Sequence, residues 1–583
     1  MHSQETMMTA VAGLLGVILA GRILVRRQVR RIVAWMRASR GGRALAPPEL
    51  SEAALLAPLL DEARTIAREL TRAQETAGQE ARLRELGDAL WTPERLREHV
   101  RLKLSGRPLV VVSNREPYRH EVVDGKTVWQ KPASGLVTGL EPLLRACGGT
   151  WIAHGDGSRD HATADERGRL QVPPDAPSYT LRRVWLDADE ESGYYAGFAN
   201  EGLWPLCHIA HTRPVFRAAD WAHYRQVNAK FAEAVLDEIE GQEEPCVLVQ
   251  DYHFVLLPRL IKARRPDARV AVFWHIPWPN AEAFGICPWQ KELLEGLLGA
   301  DLIGFHTQYH CNNFLDTVDR VLESRIDRER FAIRRGAGTT MVKPFPISVA
   351  FPENLSADPA GAARSAREHI MKAAGIKPEF VAVGVDRLDY TKGILERFRG
   401  VERLLEMYPE YRGRFTLFQI GAPSRGALSD YRDFAAAVAA ETRRINGRFA
   451  GSGVSPIVLL ARHHSQEQLR PYFLAADVCL VTSLHDGMNL VAKEFVAARE
   501  DEGGVLILSR FTGAAHELVD ALLVNPYDSD GLSEAIRDAL TMEDGARAVR
   551  MTRMRRQVRE NNVYRWAANL ITELASVRVT AGV

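Results

Sequence analysis

Phe380-Val-Ala-Val-Gly-Val385-Asp-Arg387-Leu-Asp389-Tyr-Thr-Lys392-Gly393 decides the fold. Its first six residues are apolar or small with no polar alternation. Such a run is expected of a strand covered on both faces, as in a parallel sheet. The run ends abruptly in Asp, Arg and Lys. In open parallel sheets ligands bind at the carboxyl ends of strands, so these charges stand where chemistry is expected. Gly393 would let a helix start close to a bound anion.

Working outward, the same pattern recurs. Apolar runs stand at Leu109–Val112, Val247–Val249, Val270–Phe273, Leu302–Phe305, Phe415–Ile420, Ile457–Leu460, Val478–Val481, Val505–Leu508 and Leu522–Val524. Helical stretches separate them, which predicts right-handed βαβ units. So many strands exceed one ordinary sheet. The expected fold is α/β, with two Rossmann-like doubly wound domains facing a cleft. Lys343-Pro-Phe-Pro and Phe351-Pro352 break both periodicities, giving one Rossmann-like domain over 106–348 and a second over 349–583.

The residues after each run are the candidate site. Ser113-Asn-Arg115, Gln250-Asp251-Tyr-His, Trp274-His275-Ile-Pro, Pro423-Ser-Arg425 and Thr482-Ser-Leu-His-Asp486 follow strands. Each alone is compatible with a solvated loop; together they point to one shared cleft. Arg387 and Lys392 suit a diphosphate, one a planar fork of donors and the other a mobile point charge. Gly487-Met488-Asn489-Leu490 reads as a helix N-terminus whose free amides can hold phosphate. Glu494, further into that helix, could grip ribose hydroxyls or be an ordinary helix residue. Arg115 and Arg425 imply a second anion. Ser134-Gly135-Leu136 reads as a flexible loop able to close over a ligand. Tyr195 and Trp204 could face a sugar ring or pack in a core. No metal-binding Asp-x-Asp, P-loop or Ser-His-Asp pattern emerges, and neither a metal nor a cofactor is expected.

Composition agrees. The chain has 583 residues, 46% hydrophobic and 26% charged, with a formal net charge of +1. That balance excludes a nucleic-acid binder driven by bulk charge. Its six cysteines form no C-x-x-C pair, so buried reduced thiols are expected. The first residues differ from the rest. Met7–Gly21 is apolar apart from Thr9 and continues through Arg22 to Val25; Arg26, Arg27, Arg30 and Arg31 follow. This predicts a single-pass anchor over 1–27 in the inner membrane, with the catalytic region in the cytoplasm. Residues 28–105 read as a helical linker, broken at Gly41-Gly42 and Pro47-Pro48, that leaves homo-oligomerisation open.

Over about residues 107–575 these segments resemble the trehalose-6-phosphate synthases. The motifs are Ser113-Asn-Arg, Gln250-Asp-Tyr-His, His275-Ile-Pro-Trp-Pro, Asp386-Arg-Leu-Asp-Tyr-Thr-Lys-Gly and Asp486-Gly-Met-Asn-Leu-Val-Ala-Lys-Glu. Pro423-Ser-Arg, Arg444-Ile-Asn-Gly, Gly513-Ala-Ala-His-Glu-Leu and Val524-Asn-Pro-Tyr-Asp extend the match in order. The resemblance implies a GT-B fold and metal-free transfer of glucose from UDP-glucose to glucose-6-phosphate with retention. It implies that Arg387 and Lys392 hold the donor diphosphate and stabilise the leaving UDP. Asp486, Met488, Asn489 and Leu490 would hold the donor glucose and phosphate, Glu494 the ribose, and His275 the donor glucose. Gly135 would belong to the closing loop. Arg115 and Arg425 would grip the acceptor phosphate, with Tyr195, Trp204 and Asp251 lining its sugar; Asp251 joins Arg387 and Lys392 as a catalytic candidate. A second tryptophan usual in the family is replaced within Trp151-Ile-Ala-His154-Gly. This leaves open a related synthase using another acceptor, such as glycerol-3-phosphate, or another nucleotide. A non-catalytic sugar-phosphate sensor on the membrane is a third reading. No phosphatase-like segment follows, so a separate phosphatase is expected to act on the product.

Overall fold

A computed structural model describes Val29 and residues 90–577, leaving aside 132–134, 210, 337, 353–355, 427 and 452. The expected anchor and most of the expected linker lie outside the described residues. Among the described residues no helix is long and apolar enough to cross a membrane.

All ten apolar runs fold as strands. In chain order the first strands are β1 (Leu109–Arg115), β2 (Arg119–Val123), β3 (Lys126–Gln130), β4 (Thr150–His154), β5 (Arg169–Val172), β6 (Tyr179–Val184), β7 (Cys246–Gln250), β8 (Arg269–Phe273) and β9 (Leu302–Phe305). There follow β10 (Arg325–Asp327), β11 (Ala332–Arg335), β12 (Gly338–Pro344), β13 (Phe380–Arg387), β14 (Phe415–Ala422), β15 (Ile457–Leu460), β16 (Val478–Val481), β17 (Val505–Ser509) and β18 (Leu522–Val524).

The later strands form a parallel sheet in the order β15-β14-β13-β16-β17-β18. The order reverses direction between β13 and β16, which makes that pair the switch point of a doubly wound sheet. The earlier strands form a larger sheet in the order β10-β11-β12-β9-β8-β7-β1-β4-β6-β5. From β12 to β6 it is parallel. Its switch point lies between β1 and β7. The edges correct the expectation of purely parallel sheets: β5 and the β10–β11 pair run antiparallel. Strands β4, β6 and β12 were also not among the expected runs. Tyr179-Thr-Leu-Arg-Arg-Val184 shows why, since a strand carrying Arg182 and Arg183 breaks the apolar pattern, yet Arg183 is 2% exposed.

Each sheet has its own apolar core, with Val110, Ile152 and Val249 in one and Ala382, Phe398 and Leu480 in the other. The helices around them include α1 (Pro93–Leu104), α2 (Gly135–Cys147), α3 (Ile394–Met407), α4 (Leu490–Ala498) and α5 (Val563–Ser576). The chain passes between the sheets twice. Phe345, Ile347, Val349 and Phe351 are buried in the first passage. On the return, the Val563 N–H donates to Val349 O at 3.1 Å. Helix α5 then packs on the larger sheet, Trp566 meeting Phe273 edge-on at 5.1 Å. Arg269 Nη1 donates to Ala575 O at 2.6 Å there. Helix α1 closes the same end: His99 Nε2 lies 2.8 Å from Thr572 Oγ1, and Asn562 Nδ2 donates to Trp91 O. These two passages hold the carboxyl ends of both sheets toward one cleft.

Candidate active site

One wall of the cleft comes from the smaller sheet. After β13 the chain turns at Gly393, with φ +62°. A Cβ there would lie 2.0 Å from Thr482 O, so only glycine permits this approach. Helix α3 starts at the next residue, as expected. Lys392 Nζ pairs with Asp486 Oδ2 at 2.6 Å. Ser483 Oγ and Asn489 Nδ2 also donate to Asp486 Oδ2, each at 3.2 Å. Burial works against charge on Asp486, but Lys392 outweighs it and holds the carboxyl at about 2. Asn489 caps α4, its Oδ1 accepting from Ala492 N at 3.3 Å. Met488 is buried and Leu490 half-buried. Glu494 is half-buried, accepts from Gln466 Nε2 at 3.3 Å and has its carboxyl raised by burial.

The opposite wall comes from the larger sheet. Asp251 follows β7 with φ +70° and ψ 176°, a strained conformation for a side chain with a Cβ. Its Oδ1 accepts from the His275 N–H at 3.1 Å. Burial pushes its carboxyl up to about 7. His275 Nε2 lies 2.8 Å from Gln250 Oε1, and burial lowers its imidazole to about 3, so the ring is neutral. Tyr195 lies in the first turn of a π-helix, Ser192–Leu203, and Trp204 directly follows it. Arg115 Nη2 donates to Tyr195 OH at 3.3 Å. Burial would raise the Tyr195 phenol, but Arg115, Arg425 and Arg387 bring it down to about 8. Three cations therefore converge on one phenol.

The walls touch. Arg425 Cζ lies 4.0 Å from the centre of the Trp204 ring, and Arg387 Cζ lies 5.3 Å from it. The Arg425 side chain is 4% exposed and donates to Tyr252 OH at 3.2 Å and to Tyr431 OH. Its Nε is buried without a partner. Asp389 lies 3.5 Å from both Arg387 and Arg425. His485 Nδ1 meets His208 O at 2.8 Å across the cleft. At Gly487 a Cβ would stand 2.2 Å from His275 O, so this crossing also needs glycine.

The structure thus brings together Arg115, Tyr195, Trp204, Arg387 and Arg425, pairs Lys392 with Asp486, and sets Asp251 beside His275. Gly135 differs from expectation: it and Leu136 open helix α2, while Ser134 lies outside the described residues. His154 is 8% exposed and sits in register with Arg115, its Nδ1 3.2 Å from Val184 O. Asp389, Tyr252 and Tyr431 had no assigned role in the sequence. The first two stand inside recognisable motifs; Tyr431 carries no local signal and is defined only by its contact with Arg425.

The model of Glycosyltransferase family 20 matches residues 107–576. The trehalose-6-phosphate synthase of Mycobacterium ulcerans is 40% identical over 483 residues, 80% of this chain and 94% of that protein. That of Mycolicibacterium vanbaalenii is 40% identical over 494 residues, 82% and 98% of the two chains. An E. coli structure bound with UDP-2-fluoro glucose matches with a TM-score of 0.70 at 32% identity, covering 81% of this chain and 99% of that one. A Burkholderia xenovorans α,α-trehalose-phosphate synthase (UDP-forming) in complex with glucose-6-phosphate matches with a TM-score of 0.70 at 33% identity, covering 80% and 99%. The two sheets and these likenesses make the fold GT-B-like. By family model, sequence identity and fold together, this chain belongs to glycosyltransferase family 20.

Proposed function

We propose that this protein transfers glucose from UDP-glucose to glucose-6-phosphate with retention, giving trehalose-6-phosphate and UDP. The observation that carries this reading is the stacking of Arg387 and Arg425, from one sheet, over Trp204 from the other. A cleft built that way offers cations to two phosphate-bearing substrates at once. Arg387 and Lys392 take the donor diphosphate, Arg115 and Arg425 the acceptor phosphate.

The chemistry follows from the charges. The bond from the anomeric carbon to the diphosphate oxygen breaks, and negative charge grows on that oxygen. Arg387 and Lys392 offset this charge, which is preorganised electrostatic stabilisation. The acceptor hydroxyl oxygen bonds to the anomeric carbon on the face the diphosphate leaves. Its proton passes to the departing phosphate oxygen, so retention needs no protein nucleophile. Asp486 orients Lys392 and, with Met488, Asn489 and Leu490, the donor glucose and phosphate. Glu494 holds the ribose, His275 the donor sugar, and Gly135 the closing segment. Tyr195, Trp204 and Asp251 line the acceptor sugar. Positioning two anions side by side supplies much of the rate.

The N-terminal reading is part of the same proposal: residues 1–27 anchor the enzyme, a helical linker over 28–105 follows, and the catalytic halves over 106–348 and 349–583 lie in the cytoplasm. The apolar run ending in arginines supports it.

The test is to incubate the purified protein with glucose-6-phosphate and UDP-, GDP- or ADP-glucose in turn. Nucleotide release and the product's linkage are read, the latter by NMR. An α,α-1,1-linked disaccharide phosphate with UDP release is expected. Turnover only with another sugar phosphate, or only with another nucleotide, would replace the acceptor or the donor in this assignment.

A further inference from the structure

The chain just beyond Arg115 is tied down by a residue outside the cleft. Arg183, on β6, is 2% exposed. Its Nε donates to Glu116 Oε2 at 2.7 Å. Nη1 donates to Asp160 O and Thr163 Oγ1, both at 2.9 Å. Nη2 donates to Tyr118 O at 2.9 Å and lies 2.8 Å from His120 Nδ1 and 2.7 Å from Asp160 Oδ1. Every N–H of the guanidinium therefore has an acceptor. Asp160 in turn accepts from the backbone N–H of His120 at 2.8 Å and of Gly157 at 2.6 Å.

One side chain thus fastens two segments. The first, Glu116 to His120, follows Arg115 directly; the second, Gly157 to Thr163, follows β4. Burial and Asp160 push the Glu116 carboxyl up to about 10, so Glu116 is neutral and Arg183 balances Asp160. Glu116, Asp156 and Asp160 have the spacing of a metal cage. A divalent cation there would sit against the buried guanidinium, so a proton suits the cluster better. By contrast, among the described residues the Arg115 guanidinium has a single hydrogen bond, at 3.3 Å to Tyr195 OH. Its aim is set by the backbone that carries it.

We propose that Arg183 is the positioning residue for acceptor capture: it locks the segment after β1 so that Arg115 points at the incoming phosphate. The proposal rests on the assignment of Arg115 to the acceptor phosphate. It predicts that loss of Arg183 weakens the phosphate side of the cleft and spares the nucleotide side, because Lys392 and Asp486 belong to the other sheet.

The experiment uses the full chain and Arg183→Met, with Arg183→Lys as the conservative variant and Asp160→Asn as a milder lesion should Arg183→Met fail to fold. Thermal shifts with inorganic phosphate and with UDP are measured separately, alongside kinetics. The expected result is a loss of the phosphate shift with the UDP shift intact, partly restored by lysine. In turnover, the KM for glucose-6-phosphate rises about tenfold or more while kcat changes less, as for a misplaced binding group. Equal loss of both shifts would overturn the proposal, as would an unchanged phosphate response in folded variants or a wild-type protein indifferent to phosphate. Wild-type turnover is scored apart: its absence with glucose-6-phosphate defeats the proposed function, while the two thermal shifts still decide the role of Arg183.

Discussion

The two walls of the cleft are assembled differently. The wall on the smaller sheet is built mainly from two unbroken segments, Asp386–Gly393 at the end of β13 and Asp486–Glu494 after β16, on either side of one switch point, with Arg425 added after β14. The wall on the larger sheet gathers Arg115, the helical stretch bearing Tyr195 and Trp204, and Asp251 from three separate segments. Its cation, Arg115, donates to Tyr195 OH, and the segment that follows it is held by the Arg183 cluster. A wall made from contiguous loops is set by local geometry, such as the turn at Gly393 and the cap at Asn489. A wall made from scattered residues depends on how strands pair. The first should fail sharply when one charge is removed, and the second should fail gradually through acceptor affinity.

The largest expected effect is at the contiguous wall. Lys392→Ala removes the cation nearest Asp486 and should lower kcat by about 10²–10³-fold, the usual cost of losing one preorganised charge stabiliser. Steady-state kinetics checks this; an intact kcat would break the distinction between the walls. Next comes Arg425→Met at their junction. It should raise the acceptor KM on the order of 10²-fold, the price of truncating a buried, hydrogen-bonded charge. Arg425→Lys should not restore affinity, because lysine cannot both stack on Trp204 and fork to two tyrosines.

A smaller effect is the pH response of Asp251. Its carboxyl is raised to about 7 by burial, above its ordinary value of about 3.9. Between those values the folded state holds a proton that the unfolded chain has released. Stability from this group is therefore present at low pH and is lost as pH rises from about 4 to 7. Acceptor binding needs the opposite form, since only the carboxylate accepts without donating. In wild type, kcat/KM for the acceptor should fall about fivefold from pH 7 to 6. Asp251→Asn should flatten both profiles, read by thermal melts and kinetics. The smallest effect is Asn489→Ala, which loses the α4 cap and one bond to Asp486. It should cost about 1 kcal/mol of stability with a modest rise in donor KM.

The same contrast governs how much was legible before the structure. Phe380–Val385 and Val478–Val481 could be read because a strand buried on both faces needs an unbroken apolar run. The charges after them could be read because carboxyl ends are where doubly wound sheets bind ligands. Strand β6 could not, because Arg183 is buried and Arg182 half-buried through ion pairs that no local pattern reveals. Gly135 was read as loop yet opens α2. Tyr431 became significant only through its contact with Arg425.

The sequence by itself determined the alternation of strands and helices, the ends at which chemistry would stand, and the residue types that would hold two anions. Those are local properties, carried by side-chain periodicity and by the few residues that follow each strand. Tertiary structure alone decided which ends meet. Strand order sets the switch points at β1–β7 and β13–β16, two chain passages turn them toward each other, and Trp204 receives Arg387 and Arg425 across the gap. Pairings of that kind join residues far apart along the chain, and their free energy comes from packing, which no short stretch of sequence contains.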